Sequence, residues 1–437
     1  MKISSIQNLN NKNTNASFKA GVTKIYSDFD GTFMPYEYRH DVFCNNSQDS
    51  PRHEFLKNRK ESFQNYFNSF ADFLKKLKGK DDKKLLFTIT TGRNLPEYNY
   101  FIKRIKEDGL KIPLPDQLIT RNGGDIYTKR TDTEDFFTSN KRKAFLKSNV
   151  VTSKRKEIKK ITNGWDGNLI KKTIKNFFQT KTNDCTVFEA DTDGVFYADG
   201  MHFDSKRKKL NPIPENYVAL KDNGNLEFHL LFPYANSDKT MLTETQNALN
   251  QRIGKNGIKF ITNAYSPKNE NGYGEIIISP AIDGKKLNKV FDTKKAVNDI
   301  INKNSNDLVI VAGNDPNDMR MLNLFEYIDL ENNEDITCEK NLEKIYKLPL
   351  IAIYIDNSIY QTNENTEKTK KTIEELKKHF NSDGNIRFIH VIPNNTEGEP
   401  KNLLEGIQLA INEYAKRNPE FTQNLSTEMQ EFIKTNN

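Results

Sequence analysis

Two carboxylates, Asp28 and Asp30, stand one residue apart in the stretch IYSDFDGTFMPY, between a short apolar run and a Gly31-Thr32 step. Like charges at the mouth of a buried strand repel each other and are costly to bury, so the spacing calls for a partner of opposite charge. The Gly-Thr turn lets backbone N–H groups point inward toward a bound anion. Two acids beside an anion site require a cation. A hard divalent ion such as Mg2+ meets that need with oxygen ligands, retained waters, one or two carboxylates and substrate phosphate oxygens.

Two further clusters have the same character. Thr91, Gly92 and Arg93 follow the apolar run LLFTIT and bring a hydroxyl and a backbone N–H to a helix start, where a phosphate oxygen can be bonded. The run DLVIVAG ends in GNDPNDMRML, which places Asn314, Asp315, Asn317 and Asp318 within five residues as a set of oxygen ligands, with Pro316 suited to a first helical position. Each cluster taken alone also reads as ordinary turn and cap chemistry. Three of them in order, each at the end of an apolar run, exceed what turns require.

The elements that must position these residues follow from periodicity. Val22–Ser27, Lys84–Arg93, Gln117–Thr120, Asp307–Gly313, Leu350–Asp356 and Ile386–Ile392 read as buried strands. Phe55, Phe63, Phe67, Phe70, Leu74 and Leu77 recur at helical spacing over 52–78, and helices are expected over 95–109, from about Thr293 to Lys303, from near Pro316 and over 426–434. Strand-helix alternation implies a parallel sheet whose strand ends converge on a crevice. The rhythm is irregular from residue 128 to 274 and returns with EIIISP at Glu275, so one domain is expected to be split by an insertion. The expected organisation is a leader over 1–21, a core over 22–127, an inserted domain over 128–274 and a second core part over 275–437 with a C-terminal helical extension.

The bulk numbers suit this layout. The chain has 437 residues, 35% hydrophobic, with 28 Phe and 17 Tyr to build large apolar faces. Its formal charge of +7 is matched by the stretch from Lys129 to Lys160, which holds eleven basic and four acidic residues. That stretch reads as a solvated helical face in preference to a steering field for phosphorylated substrates. Cys44, Cys185 and Cys338 lie far apart with no CxxC spacing, which argues against a disulfide framework or zinc site. No apolar run approaches a membrane span, and the N-terminus lacks the apolar stretch of a signal peptide. A cytoplasmic protein is expected.

The motifs DFDGT, TTGR, a lysine near DTKKAV, and GNDPND together resemble the haloacid dehalogenase superfamily of phosphatases. The resemblance spans about residues 22–330, and TGR, NGG and NDMRML are similar to its Cof-type and sucrose-phosphatase-like members. It implies an α/β fold, a Rossmann-like parallel sheet with helices on both faces, plus an inserted α+β cap of the C2 type that chooses the substrate. It also implies Asp28 as nucleophile, forming an aspartyl phosphate, and Asp30 as general acid and base. Gly31, Thr32, Thr91, Gly92 and a lysine would hold the phosphate. Lys294 best matches the lysine position, Lys289 is the second choice, and Lys285, Lys286 or Lys295 follow. Mg2+ would lie between the Asp28 carboxylate, the Asp30 backbone carbonyl and the GNDPND loop. There the chain departs from the family's Gly-Asp with Gly313-Asn314, so either Asn314 ligates through its amide oxygen or Asp315 does, with Asp318 acting directly or through water. Arg93, Asn122 and Asn317 stand beside these as supporting residues. The expected substrate is a small phosphorylated metabolite, most simply a sugar phosphate, with neither a membrane nor nucleic acid as partner. A non-catalytic binding protein holding a polyanion such as RNA, and a phosphotransferase using the same intermediate, are the rival readings.

Overall fold

In the computed structural model the described residues are 22–35, 51–79, 85–129, 145–147, 150–181, 186–190, 195–198, 201–204, 209–212, 217–233, 238–255, 257–267, 273–282, 284–302, 307–330, 335–356, 363–393 and 399–435. The leader expected over 1–21 lies outside them, as do Cys44, Cys185 and residues 130–144 of the basic stretch.

Eight strands form the main sheet, in the order β17-β16-β15-β1-β2-β3-β4-β5. Its strands are β1 (Thr23–Asp28), β2 (Leu85–Thr90), β3 (Gln117–Thr120), β4 (Asp125–Lys129), β5 (Phe145–Lys147), β15 (Leu308–Gly313), β16 (Leu350–Ile355) and β17 (Phe388–Val391). From β17 to β3 every pairing is parallel, and β4 and β5 add an antiparallel edge. The chain winds from the central β1 toward β3 and later from β15 toward β17. The two halves therefore part at β1 and β15, where a doubly wound sheet opens its ligand crevice.

The unbroken apolar runs follow from burial on both faces. In β15, Leu308, Ile310 and Ala312 enter one core while Val309 and Val311 enter the other. The first core is closed by α1 (Pro51–Lys78), α2 (Leu95–Glu107), α10 (Leu403–Arg417), α11 (Pro419–Asn424) and α12 (Thr427–Thr435). The opposite face is covered by α6 (Val290–Asn302), α7 (Met319–Leu322), α8 (Glu339–Tyr346) and α9 (Asn363–Phe380). The residues beyond 330 thus complete the sheet with two strands and cover both of its faces.

A second, mostly antiparallel sheet has the order β12-β13-β11-β10-β6, with β14 paired to β13. It comprises β6 (Thr186–Ala190), β10 (Tyr217–Asp222), β11 (Phe228–Pro233), β12 (Phe260–Tyr265), β13 (Tyr273–Ile282) and β14 (Lys285–Lys286); a three-stranded sheet holds β7 (Val195–Ala198), β8 (Met201–Asp204) and β9 (Lys209–Pro212). Helices α4 (Gly167–Lys181) and α5 (Lys239–Gly254) cover one face, packing Ile174, Phe177, Leu242 and Leu249 on Val218, Leu220, Phe228 and Ile276. Trp165 belongs to this core, its indole N–H donating to the Asn225 carbonyl. Helix α3 (Val150–Ile161) touches both β4 and β13.

The fold is therefore α/β, a Rossmann-like parallel sheet with helices on both faces and a separate inserted sheet. Two stretches sit differently from the sequence reading. β4 and β5 carry the main sheet to Lys147, and Glu275–Pro280 lies inside β13 of the second sheet, between β11 and β12. The pattern misleads there because Ile276 and Ile278 face α4 and α5, and Ile277 on the other side is also buried, so a one-sided strand reads as a fully buried one. No helix among the described residues is long and apolar enough to cross a membrane.

Candidate active site

Phe29, between the two acids, sets their direction. It is fully buried and packs its ring on Tyr98 and Phe101 of α2, at centroid separations of 5.1 and 5.0 Å. Phe33 is gripped in turn by Phe67, Phe70 and Phe87. With these two rings driven into the core closed by α1 and α2, Asp28 and Asp30 are left at the end of the strand, in a turn flanked by Arg93 and Asn314. Gly31 N–H donates to the Met34 carbonyl at 2.7 Å and Met34 N–H to the Phe29 carbonyl at 2.8 Å, closing the turn. Gly31 has φ +81, and a Cβ there would run into the Asn314 amide, so the turn needs glycine on both counts.

Asp28 and Asp318 meet at one ammonium. Lys289 donates from Nζ to Asp28 Oδ1 at 2.5 Å and to Asp318 Oδ1 at 2.7 Å, and all three side chains are buried. Asp318 Oδ2 accepts from the backbone N–H of Asn314 and Asp315 at 3.1 and 3.2 Å, while Asp315 Oδ1 accepts from the Asn317 N–H and amide. This reciprocal cap opens the short 3-10 turn Pro316–Asp318. Gly313 brings the end of β15 so close that a Cβ would overlap the Asp318 side chain. Thr32 completes the link between the loops, its hydroxyl donating to Asn314 Oδ1 at 2.8 Å.

Two carboxylates share one cation here, so the buried cluster carries an excess negative charge. Burial and then Asp318 push the Asp28 carboxyl up to about 7, against the pull of Lys289. Burial alone would push the Lys289 ammonium down, yet Asp28 and Asp318 override it and hold it well above the ordinary lysine range. The excess charge is balanced by a proton on Asp28 or by a second cation. Among the described residues no group of three or more His, Cys, Asp or Glu side chains is set to hold a metal. The carboxylates Asp28 and Asp318, which meet on Lys289, and the Asn314 amide oxygen, which accepts from Thr32, are hard oxygens of the kind that hold Mg2+ when waters and phosphate oxygens fill the remaining positions. The residues fit that ion.

On the other side of the turn Arg93 grips Asp30 with both arms of its fork, Nε to Oδ2 and Nη2 to Oδ1, each 2.8 Å. The guanidinium lies over the Phe101 ring, 5.1 Å from its centroid. Burial opposes the charge, but Asp30 and then Glu97 keep Arg93 firmly protonated. Thr91 Oγ1 accepts from the Arg93 N–H at 3.2 Å. The loop after β3 clamps this segment: Arg121 N–H donates to the Arg93 carbonyl and Asn122 N–H to the Thr91 carbonyl. Arg121 and Asn122 both have positive φ, 55 and 53, a strained pair that the clamp holds in place. The Asn122 side chain lies against Gly92.

The structure thus brings together Asp28, Asp30, Gly31, Thr32, Asn314, Asp318 and Lys289, with Thr91, Gly92, Arg93 and Asn122 on the flank. Lys294, the first choice of lysine, is not among them, whereas Lys289, the second choice, is. Lys294 stands one turn into α6, pairs with Asp329 at 3.3 Å, and lines a separate cleft of about 950 Å3 with Lys285, Lys286 and Lys295. Asp315 and Asn317 bond each other at the exposed rim.

Contacts invisible in the sequence close the second sheet on this site. Lys221 of β10 donates to Glu97 Oε1 at 2.7 Å, and Glu97 caps α2 through Asn94. Fully buried Asp125 accepts from Arg121 and from Arg155 of α3, each at 2.8 Å, and Arg155 also bonds the Gly224 carbonyl. Beside them His229 bridges Glu227 (Nε2, 2.8 Å) and Glu275 (Nδ1, 2.7 Å). Burial would lower the imidazole, but the two carboxylates hold it up at about 9, and His229 holds Glu227 down at about 2 against its own burial.

These features define a doubly wound α/β protein with a cluster of buried carboxylates at the ends of β1 and β15, joined by ion pairs to an inserted sheet. No family model and no curated protein matches the chain. Among solved structures it is similar to the IMP-nucleotidase of Plasmodium falciparum, with 11% identity over 75% of this chain and 68% of that chain at a TM-score of 0.30. A likeness that remote assigns no role to any residue here.

Proposed function

We propose that the chain is a Mg2+-dependent phosphatase that hydrolyses a small phosphorylated metabolite, with sugar phosphates as the substrate class, through a phosphoryl group carried on Asp28. The observation that supports this most directly is the meeting of Asp28 and Asp318, from the ends of two adjacent strands paired 285 positions apart, on the ammonium of Lys289, beside the Asp30–Thr32 turn. A buried carboxyl group beside an ammonium and inward N–H groups becomes, once ionised, a nucleophile for phosphorus.

In the first step an Asp28 carboxylate oxygen attacks phosphorus, the bond to the leaving oxygen breaks, and that oxygen takes a proton carried by Asp30. In the second, water attacks the same phosphorus, passes its proton to Asp30, and the bond to Asp28 breaks to release inorganic phosphate. Lys289, with the Thr91 hydroxyl and the backbone N–H groups of Gly31, Thr32 and Gly92, would hold the equatorial oxygens as charge develops. The fork of Arg93 sets the direction of the Asp30 carboxyl group, from which the proton leaves and to which it returns. In the first step Arg93 holds one oxygen of that carboxyl group while the other, carrying the proton, faces the leaving oxygen. Asp28, Asp318, Asn314 and the Asp30 carbonyl would hold Mg2+, which supplies charge neutralisation for an anionic nucleophile meeting an anionic phosphate.

Phosphate release from p-nitrophenyl phosphate with Mg2+ tests the reading. Turnover by the wild type that drops at least about a thousandfold in Asp28→Asn is expected. Equal release by the two proteins, or none by either across a panel of sugar phosphates, would overturn it.

A further inference from the structure

We propose that the Lys221–Glu97 ion pair is a positioning device by which docking of the second sheet fixes Arg93 and, through it, the carboxylate of Asp30. The proposal rests on the phosphatase reading for its kinetic consequences and on the geometry alone for the coupling between the two sheets.

Glu97 is buried and fully employed. One oxygen, Oε1, takes the Lys221 ammonium at 2.7 Å, while Oε2 accepts the Asn94 N–H at 2.9 Å and Asn94 Oδ1 accepts the Glu97 N–H at 2.9 Å. A single carboxylate therefore starts α2 and receives a cation from β10. Arg93 lies four residues before Glu97 and feels both Asp30 and Glu97. Two carboxylates thus compete for one guanidinium. With Lys221 on Glu97, that competition is resolved and the whole fork goes to Asp30, as the two 2.8 Å bonds record.

Remove Lys221, and Glu97 becomes a buried carboxylate holding only a helix N-terminus. Leaving such a charge unpaired is costly, and the Arg93 guanidinium is the other cation that acts on Glu97. Arg93 would then turn partly from Asp30. The contact differs in kind from the other bridge between the sheets. Arg155 reaches Asp125 and the Gly224 carbonyl, which joins the sheets without touching Arg93 or Asp30. Docking as such already has that anchor, and Lys221 adds a contact that ends on the segment carrying the site. In the ladder Lys221 stands opposite His229, so the rigid His229–Glu227–Glu275 group backs the lysine on its own sheet.

The test uses the full chain with Lys221→Met, Glu97→Gln, the double variant, Lys221→Arg and, as the control bridge, Arg155→Met. Urea unfolding of the four members of the Lys221/Glu97 cycle reads the coupling between the sheets without any assay of turnover. Strict additivity of the two single variants would overturn the pair. Turnover is then compared on two substrates, p-nitrophenyl phosphate, whose leaving group departs without a proton, and β-glycerophosphate, whose alkoxide needs one. Lys221→Met is expected to lower kcat on β-glycerophosphate on the order of tenfold more than on p-nitrophenyl phosphate, and Lys221→Arg to restore the wild-type ratio. Arg155→Met should shift both substrates alike. A ratio unchanged in an active Lys221→Met enzyme would overturn the positioning role alone. Absence of Asp28-dependent release in the wild type would instead overturn the phosphatase reading, and the unfolding cycle would still decide whether the pair couples the sheets.

Discussion

Asp28 and Asp318 divide one ammonium between them, and each consequence at this scale follows from that count of charges. Lys289 reaches both carboxylates from the turn just before α6, where Asn288 caps the helix by accepting the Val290 N–H. Lys289→Met should therefore lower kcat by about a hundredfold or more, the scale of losing one charge-stabilising donor, whereas Lys294→Met should stay within about twofold of wild type because its partner is the exposed Asp329. Steady-state kinetics on the two variants checks this. A proton and a cation also compete for Asp28. Its carboxyl is raised to about 7 in the metal-free cluster, so below that pH it must give up a proton before Mg2+ can bind. The Mg2+ concentration for half-maximal activity should rise roughly tenfold per pH unit as pH falls below about 7 and level off above it. Titrations at several pH values between these limits read the slope.

At the scale of elements, the three acidic or hydroxylic motifs were legible because each is a run of side chains at the end of an apolar strand, and strands occur in the sequence as runs. The lysine was not legible, since which of several lysines faces the crevice depends on where α6 begins. It begins at Val290 and not near Thr293, which leaves Lys289 in the turn and carries Lys294 onto the outer side. The apolar run in β13 was legible as a strand but not as to its sheet, because burial on one face and near-burial on the other leave the same pattern. Pairings such as Lys221 with Glu97, 124 positions apart, leave no local trace at all. The second sheet has its own electrostatic centre in His229. Its imidazole rises from 6.5 when unfolded to about 9 when folded, so its contribution to stability is complete below about 6.5 and is lost as pH climbs through 9. Glu227, held at about 2, contributes above its unfolded value of 4.5 and is lost as pH falls toward 2. Wild-type urea midpoints should decline between pH 7 and 10, while His229→Gln, less stable by about 3 kcal/mol at pH 7, should show a flatter profile over the same window.

For the whole molecule, a doubly wound sheet places β1 and β15 side by side, and every candidate residue for phosphate or metal except Lys294 lies at or near that junction or on the loops after β2 and β3 beside it. The inserted sheet closes over them through Lys221 and Arg155, so the crevice is formed by three stretches of chain far apart in sequence. The account depends on Asp28 accepting a phosphoryl group in that closed space. Acid quenching of the wild-type protein during turnover with Mg2+ and a sugar phosphate, followed by peptide mass spectrometry, tests this directly. The account predicts one phosphoryl group on the peptide that contains Asp28, absent from Asp28→Asn. Steady release of phosphate with that peptide never modified, or with the label on another residue, would contradict it.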